Sequence, residues 1–198
     1  MWYWAFRFLF TIILRLFFKF KVEGKENIPK KTNFIVVSNH ASFLDPIVLG
    51  LAIPQKVYWI AFQKLYSKFW LRWFIQKMES IPTGGSSKKA IYLLTQGKNI
   101  GLFPEGTRTN DGNLKKFRRG AALLAIRTGR PILPCALLGT YRVLPWWRKF
   151  PKLFLPIKVK IGKPIYLLKE FDEIVDDLLL QEGTLRIRRV IEKMLNDG

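Results

Sequence analysis

The sequence predicts an α/β fold in a single domain, on three observations. From residue 33 onward, short apolar runs rich in β-branched residues alternate with longer amphipathic stretches, which is the pattern of strands separated by helices. At 198 residues and 23.2 kDa the chain can bury one ordinary core and is too short for two. No repeat and no low-complexity linker interrupts it. The expected division is a separate amino-terminal helix over residues 1–22, followed by one domain over 23–198 that closes on an acidic carboxy-terminal helix.

The amino-terminal segment MWYWAFRFLFTIILRLFFKF holds nine aromatic residues and no acid. Its polar residues, Arg7, Thr11, Arg15 and Lys19, recur in steps of four, so a helix would carry them as one narrow basic stripe on an otherwise apolar cylinder. Trp2 and Trp4 add rings of the kind that settle at headgroup depth beside basic side chains. A helix lying in a bilayer interface is the expectation, with Trp2, Trp4, Arg7, Arg15 and Lys19 as its membrane contacts. A secretory signal is excluded by the arginines within the apolar run and the lack of a small-residue cleavage site. A spanning helix, about 30 Å long for twenty residues, would bury Arg15 at a cost of roughly 2.5–3.5 kcal/mol unless it snorkels. A core helix would be unusually aromatic for a chain end.

The following elements are read in order. Strands are expected at 33–38, 56–62, 99–103, 132–138 and 157–161, each a short apolar run bounded by polar or turn residues. Helices are expected at 64–76, 86–96, 116–128 and 171–195, the last interrupted near Gly183. Gly129, Arg130 and Pro131 stop the third of these as Gly and Pro do.

Charge narrows the partner. The chain carries +20, and residues 1–169 hold 30 of the 34 bases but only 6 of the 14 acids. Such a body associates with anions, whether nucleic acid, lipid headgroups or a phosphorylated substrate. The 15% aromatic content beside basic residues favours the lipid surface. The single cysteine, Cys135, sits in an apolar run, which rules out a disulfide framework, suggests a reducing compartment, and with one histidine makes a zinc site unlikely on numbers alone.

Two segments carry chemistry. In FIVVSNHASFLDP, a strand runs into His40, the only histidine, with Asp45 five residues later. A carboxylate on one ring nitrogen fixes the tautomer of the other, the arrangement of a general base. The plainer alternative is a structural histidine held by Ser42 or by backbone. No G-x-S-x-G accompanies the pair, so a nucleophile would have to come from the substrate's own hydroxyl. In GLFPEGTRT, a strand ends in a turn that presents Glu105, Gly106, Thr107 and Arg108 where open α/β sheets bind ligands. Arg108 offers a planar fork to a phosphate, with the Thr107 hydroxyl and the Gly106 amide as neutral donors. Glu105 either pairs with Arg108 or meets a substrate hydroxyl; a tight turn with a surface arginine is the competing account. A third cluster, Lys115 to Gly120, opens the next helix and can cradle an anion at its amino end, or can be a solvated charge run.

NHASFLD and FPEGTRT sixty residues apart, followed by KKFRRGA and ILPCALLGT, resemble the family of glycerophosphate and lysophosphatidate acyltransferases over residues 25–168. The resemblance implies a mixed central sheet flanked by helices, so that 23–198 is the acyltransferase domain. It implies that His40 deprotonates an acceptor hydroxyl, that Asp45 orients His40, and that Glu105, Gly106, Thr107, Arg108 and Arg118 bind the acceptor phosphate, with Pro134 shaping the acceptor pocket. It implies an acyl thioester co-substrate, on acyl-carrier protein or coenzyme A, a lysophospholipid acceptor, no bound metal or cofactor, and attachment to anionic lipid at the cytoplasmic face of a membrane. One departure stands out: where relatives carry an arginine, residues 80–85 read SIPTGG, so that its phosphate contact is either missing or supplied by Lys88 or Lys89. The expected reaction is acylation of lysophosphatidate to phosphatidate. The alternatives are another lysophospholipid, glycerol 3-phosphate or a lipid-A-like acceptor, or a non-enzymatic basic protein that coats membrane or nucleic acid; nucleic acid is not the expected partner.

Overall fold

A computed structural model of the chain describes residues 2–61, 80–83, 85–169 and 175–197, with side chains placed from Phe8 onward. Among these residues seven strands form one mixed sheet: β1 (Lys21–Glu23), β2 (Ile35–Ser38), β3 (Val57–Ala61), β4 (Ile81–Pro82), β5 (Asn99–Leu102), β6 (Ile132–Leu138) and β7 (Lys158–Ile161). Their order is β1-β7-β6-β2-β5-β3-β4. From β6 to β4 every neighbouring pair is parallel, whereas β7 is antiparallel to β6 and parallel to β1. The sheet is therefore mixed, as expected.

The helices are α1 (Trp2–Phe18), α2 (Asp45–Ala52), α3 (Ser86–Thr95), α4 (Gly120–Thr128), α5 (Thr140–Val143) and α6 (Asp177–Asn196). They cover both faces, and for this reason β2 and β5 are apolar at nearly every position instead of alternating. Val36, Leu133, Cys135 and Leu137 pack with Leu14 and Phe18 of α1 and Val48 and Leu49 of α2. Ile35, Val37, Ile100 and Ile132 point the other way, onto Leu94 of α3, Leu124 of α4 and Ile187 of α6.

The predicted strands match β2, β3, β5, β6 and β7 to within two residues, and β6 matches at both ends. Three helix expectations need comment. The one at 64–76 falls outside the described residues. The helix expected from residue 116 begins only at Gly120, because the preceding amides are taken: Lys115 N–H donates to Glu105 and Arg118 N–H to the Pro104 carbonyl at 2.7 Å. The last helix starts at Asp177, capped by the Asp176 carboxylate on the Leu178 amide, and runs through Gly183 without a break. Gly183 is buried there, where a Cβ would stand 2.9 Å from Leu167 Cδ1 and 3.3 Å from Ala122 Cβ, so the glycine serves close packing.

The expected helix over 1–22 is shorter in the structure: α1 ends at Phe18, because Lys21–Glu23 pairs with β7 as strand β1, and it is not separate, since Leu14 and Phe18 enter the core. No helix among the described residues is long and apolar enough to cross a membrane. Leu14 and Phe18 are buried in the core while Phe8, Leu9, Ile12, Leu16, Arg15 and Lys19 are exposed. The side chains of Trp2, Trp4 and Arg7 lie outside the described residues.

Candidate active site

β2 and β5 are adjacent parallel strands, so the segments that leave their carboxyl ends meet. His40 leaves β2 two residues past its end. The Asn39 side chain holds that exit by continuing the ladder toward β6: Nδ2 donates to the Leu137 carbonyl at 3.0 Å and Oδ1 accepts from the Leu137 amide at 2.8 Å. The His40 backbone is then pinned on both sides. Its N–H donates to Glu105 Oε1 at 2.6 Å, and its carbonyl accepts from the Thr109 amide at 2.9 Å.

Asp45 opens α2, with Pro46 next to it where a missing N–H costs nothing. It is fully buried, and its Oδ2 lies 2.8 Å from His40 Nδ1 while also accepting the Ala41 and Ser42 amides at 2.6 and 2.7 Å. Two amides fix the carboxylate, and the carboxylate fixes the ring. The loop between them is closed by Ser42, whose hydroxyl donates to the Leu144 carbonyl at 2.7 Å and accepts the Leu44 amide. The partner of His40 is thus Asp45, and Ser42 supports the loop.

The imidazole is 19% exposed, neither walled off nor loose. Its face stacks on Phe103 at 4.1 Å between centroids, and Phe103 stacks in turn on Trp59 at 5.2 Å. Gly101 makes room for that stack, because a Cβ there would lie 2.6 Å from the Trp59 ring. With Nδ1 on Asp45 and one face on Phe103, Nε2 is the nitrogen left to act on a substrate.

Arg108 arrives from the β5 side. Its guanidinium sits 3.4 Å from the centroid of Phe43, a residue of the loop between His40 and Asp45. Burial lowers its pKa, opposed by the nearby Asp45 charge, and its Nη1 is buried without a hydrogen-bond partner among the described residues. A buried guanidinium donor with no partner among the described residues suits an anionic ligand.

The other predicted ligands are placed differently. Glu105 is buried, and its two oxygens accept the backbone amides of His40 and Lys115, with no ion pair to Arg108. Burial raises its pKa above 4.5, against the pull of those two amides. It is the clamp that joins the two motifs. The Gly106 amide donates to the Phe103 carbonyl and is not free for phosphate; its φ of 75° lets the turn close against Arg118, whose Nε would be 2.7 Å from a Cβ. Thr107 is exposed, its hydroxyl accepting from Lys115 Nζ at 2.8 Å. Arg118 is exposed beside this turn. Pro134 is buried inside β6 in register with Val37, three residues before His40, and its carbonyl accepts the Gly162 amide at 2.8 Å. Lys88 and Lys89 are exposed in the first turn of α3, after edge strand β4. Cys135 is buried with its pKa raised by desolvation, which suits a packed thiol and not a nucleophile. Sequence reasoning missed Phe103, Asn39 and Thr109, whose roles depend on the neighbouring strand.

Residues 19–138 match the model of the Acyltransferase family. Over 162 residues the chain is 32% identical to a 1-acyl-sn-glycerol-3-phosphate acyltransferase of Bacillus subtilis (strain 168), an alignment covering 78% of both chains. Over 186 residues it is 32% identical to the 1-acyl-sn-glycerol-3-phosphate acyltransferase BAT2, chloroplastic, of Brassica napus, covering 89% of this chain and 52% of that one. The chain spans about half the length of the two chloroplastic relatives it matches. The crystal structure of the 1-acyl-sn-glycerophosphate (LPA) acyltransferase, PlsC, from Thermotoga maritima is similar with a TM-score of 0.68 at 32% identity, over 88% of this chain and 71% of that one.

Proposed function

The chain belongs to the acyltransferase family, and from that premise we propose that it moves a fatty acyl group from an acyl thioester to the free hydroxyl of lysophosphatidate, giving phosphatidate. The donor is acyl-carrier protein or coenzyme A thioester. One observation carries the reading: His40 Nδ1 lies 2.8 Å from the buried Asp45 carboxylate, in a loop whose Phe43 holds the guanidinium of Arg108.

The mechanism follows from that geometry. Asp45 accepts a hydrogen bond from Nδ1–H, which keeps the proton on Nδ1 and leaves the Nε2 lone pair to take the proton of the acceptor hydroxyl. The acceptor oxygen attacks the thioester carbonyl, the tetrahedral intermediate collapses with loss of the thiolate, and the proton on Nε2 passes to the sulfur. Arg108 binds the acceptor phosphate through its unpartnered Nη1, which orients the hydroxyl toward His40. Glu105 acts through the His40 backbone and is a positioning residue. No metal is assigned a role. The protein works at the cytoplasmic face of a membrane, docked by α1, whose outer face shows Phe8, Leu9, Ile12 and Leu16 beside Arg15 and Lys19.

The test is turnover of lysophosphatidate with an acyl thioester, read by mass spectrometry of the lipid product. H40A is expected to lose roughly 10²–10⁴-fold in kcat with its fold intact; near wild-type turnover refutes the base assignment. R108A is expected to raise KM for the phosphorylated acceptor by roughly 10- to 100-fold, the value of a charge-assisted contact. A preference of the native protein for unphosphorylated acceptors over lysophosphatidate, glycerol 3-phosphate and other phosphorylated ones refutes Arg108 as the phosphate ligand.

A further inference from the structure

We infer that residues 146–154, WWRKFPKLF, form a second membrane-contact element that binds an anionic phospholipid surface directly and sets the mouth of the His40 site at the bilayer. The inference adds a second anchor to the reading above and depends on that reading only for the identity of the acceptor.

The segment is a loop held by its ends. Leu144 and Leu155 pack against the core cluster that contains Leu14 and Phe18 of α1. The Lys152 amide donates to the Val143 carbonyl at 2.8 Å and closes the loop at its base. Between these points the large side chains face outward: Trp146 is 52% exposed, Trp147 54%, Phe150 79% and Phe154 66%. Four such rings in nine residues make an exposed apolar patch of the kind that marks a contact surface.

Charge identifies what covers them. Arg142, Arg148, Lys149 and Lys152 interleave with the rings, and no acid occurs anywhere between Asp111 and Glu170. Aromatic rings beside cations, on a stretch of chain that carries no carboxylate of its own, complement the headgroup layer of an anionic leaflet. The loop is also continuous with α1. The Phe154 amide donates to the Phe17 carbonyl at 2.7 Å, the Ile157 amide to the Phe18 carbonyl at 2.9 Å, and the Phe17 and Phe154 rings lie 6.1 Å apart. Lys19 and Phe154, the only non-glycine residues with positive φ among those described, both sit at this joint, at 43° and 63°. Left-handed backbone is unfavourable for a side chain with a Cβ, so the joint is held in place by its surroundings and directs the Phe154 ring outward. The loop is tied to the catalytic segment as well: the Leu144 carbonyl accepts the Ser42 hydroxyl, two residues from His40. A bilayer that receives Trp146 to Phe154 and the outer face of α1 therefore meets the loop that carries His40.

The experiment uses the full chain and vesicles of phosphatidylcholine with or without phosphatidylglycerol. W146S/W147S/F150S is expected to keep the native melting temperature, since these side chains are exposed, and to bind the anionic vesicles about tenfold more weakly, in proportion to the apolar area withheld. R148Q/K149Q/K152Q is expected to lose roughly fivefold per base on anionic vesicles, the equivalent of ~1 kcal/mol each, and little on neutral ones. F150C carrying an environment-sensitive dye gives a second readout should the triple variant misfold; Cys135 is buried, so the label goes to position 150. Its emission is expected to shift blue on anionic vesicles. Unchanged vesicle binding by both triple variants overturns the inference, as does a dye at position 150 that senses no lipid, or one that responds to a second copy of the protein or to RNA instead. Binding is read without turnover, so these outcomes are separate from failure of the acyl-transfer reading.

Discussion

Glu105 shows how a single residue can have its role set by which atoms reach it. Its carboxylate receives two backbone amides and no cation, from His40 on one strand's exit and Lys115 on the other's. Removing it would leave two part-buried N–H groups without this partner, at up to about 1–3 kcal/mol each. E105Q presents an amide nitrogen to one of those donors, and is expected to lower kcat several-fold by shifting the His40 backbone, with KM for the acceptor nearly unchanged. A residue that bound the phosphate directly would move KM instead. The pH dependence has a definite sign. The folded-state pKa is raised above the ordinary 4.5, so the folded protein holds this proton more tightly than the unfolded chain. The stability it contributes is fully present below 4.5 and is lost as pH rises through the raised folded value. The melting-temperature advantage of the native protein over E105Q is therefore expected to narrow across that window. A gap that widens with pH would mean that the carboxylate is favoured as the anion by its amides more than burial disfavours it.

At the scale of elements, what was legible in the sequence was what local pattern dictates. β2, β5 and β6 are short apolar runs because both faces of a parallel stretch are covered, and that signature needs no knowledge of neighbours. The His40 and Asp45 pair was legible for the same reason, since the strand and the α2 start that hold them are contiguous. The contributions that escaped were those decided across strands. Phe103 reads as one more apolar residue until β5 lies beside β2 and sets it against His40. Gly106 reads as a free amide donor until the turn consumes it. Gly183 reads as a helix breaker because glycine costs about 1 kcal/mol within a helix; what offsets that cost is the approach of α6 to Ala122 of α4 and to Leu167, which a side chain would have to push aside. G183V is accordingly expected to destabilise the fold by about 1–3 kcal/mol through overpacking, measured by denaturant midpoint. A stabilised variant, as propensity alone would give at an exposed glycine, would show that the two helices are not in contact in solution. The exposed Arg119 to Asp177 ion pair that joins the same helices contributes little beside this packing.

For the whole molecule, the proposed docking to a lipid surface turns on α1. Its sequence invites a choice among an interfacial, a spanning and a core helix, yet the structure divides it by face. Leu14 and Phe18 are nearly fully buried against α2 and the sheet, whereas Phe8, Ile12 and Leu16, one turn apart, are open to solvent. Deleting the segment would remove core and docking face together, so loss of membrane binding after deletion would say nothing about either. Substitution by face separates them. L14A and F18A are each expected to cost about 2–5 kcal/mol, the value of emptying a packed site, and to lower the melting temperature with or without lipid present. F8S/I12S/L16S removes only exposed apolar groups, so its melting temperature in solution is expected to stay within the roughly 0.5 kcal/mol typical of surface changes, while its binding to anionic vesicles weakens. Combining it with W146S/W147S/F150S is then expected to abolish vesicle binding, because α1 and the 146–154 loop meet at the Phe17 and Phe154 contact and present one surface. Should the combined variant still sediment with vesicles as the native chain does, the +20 charge alone would account for the association, and the position of His40 relative to the bilayer would need another explanation.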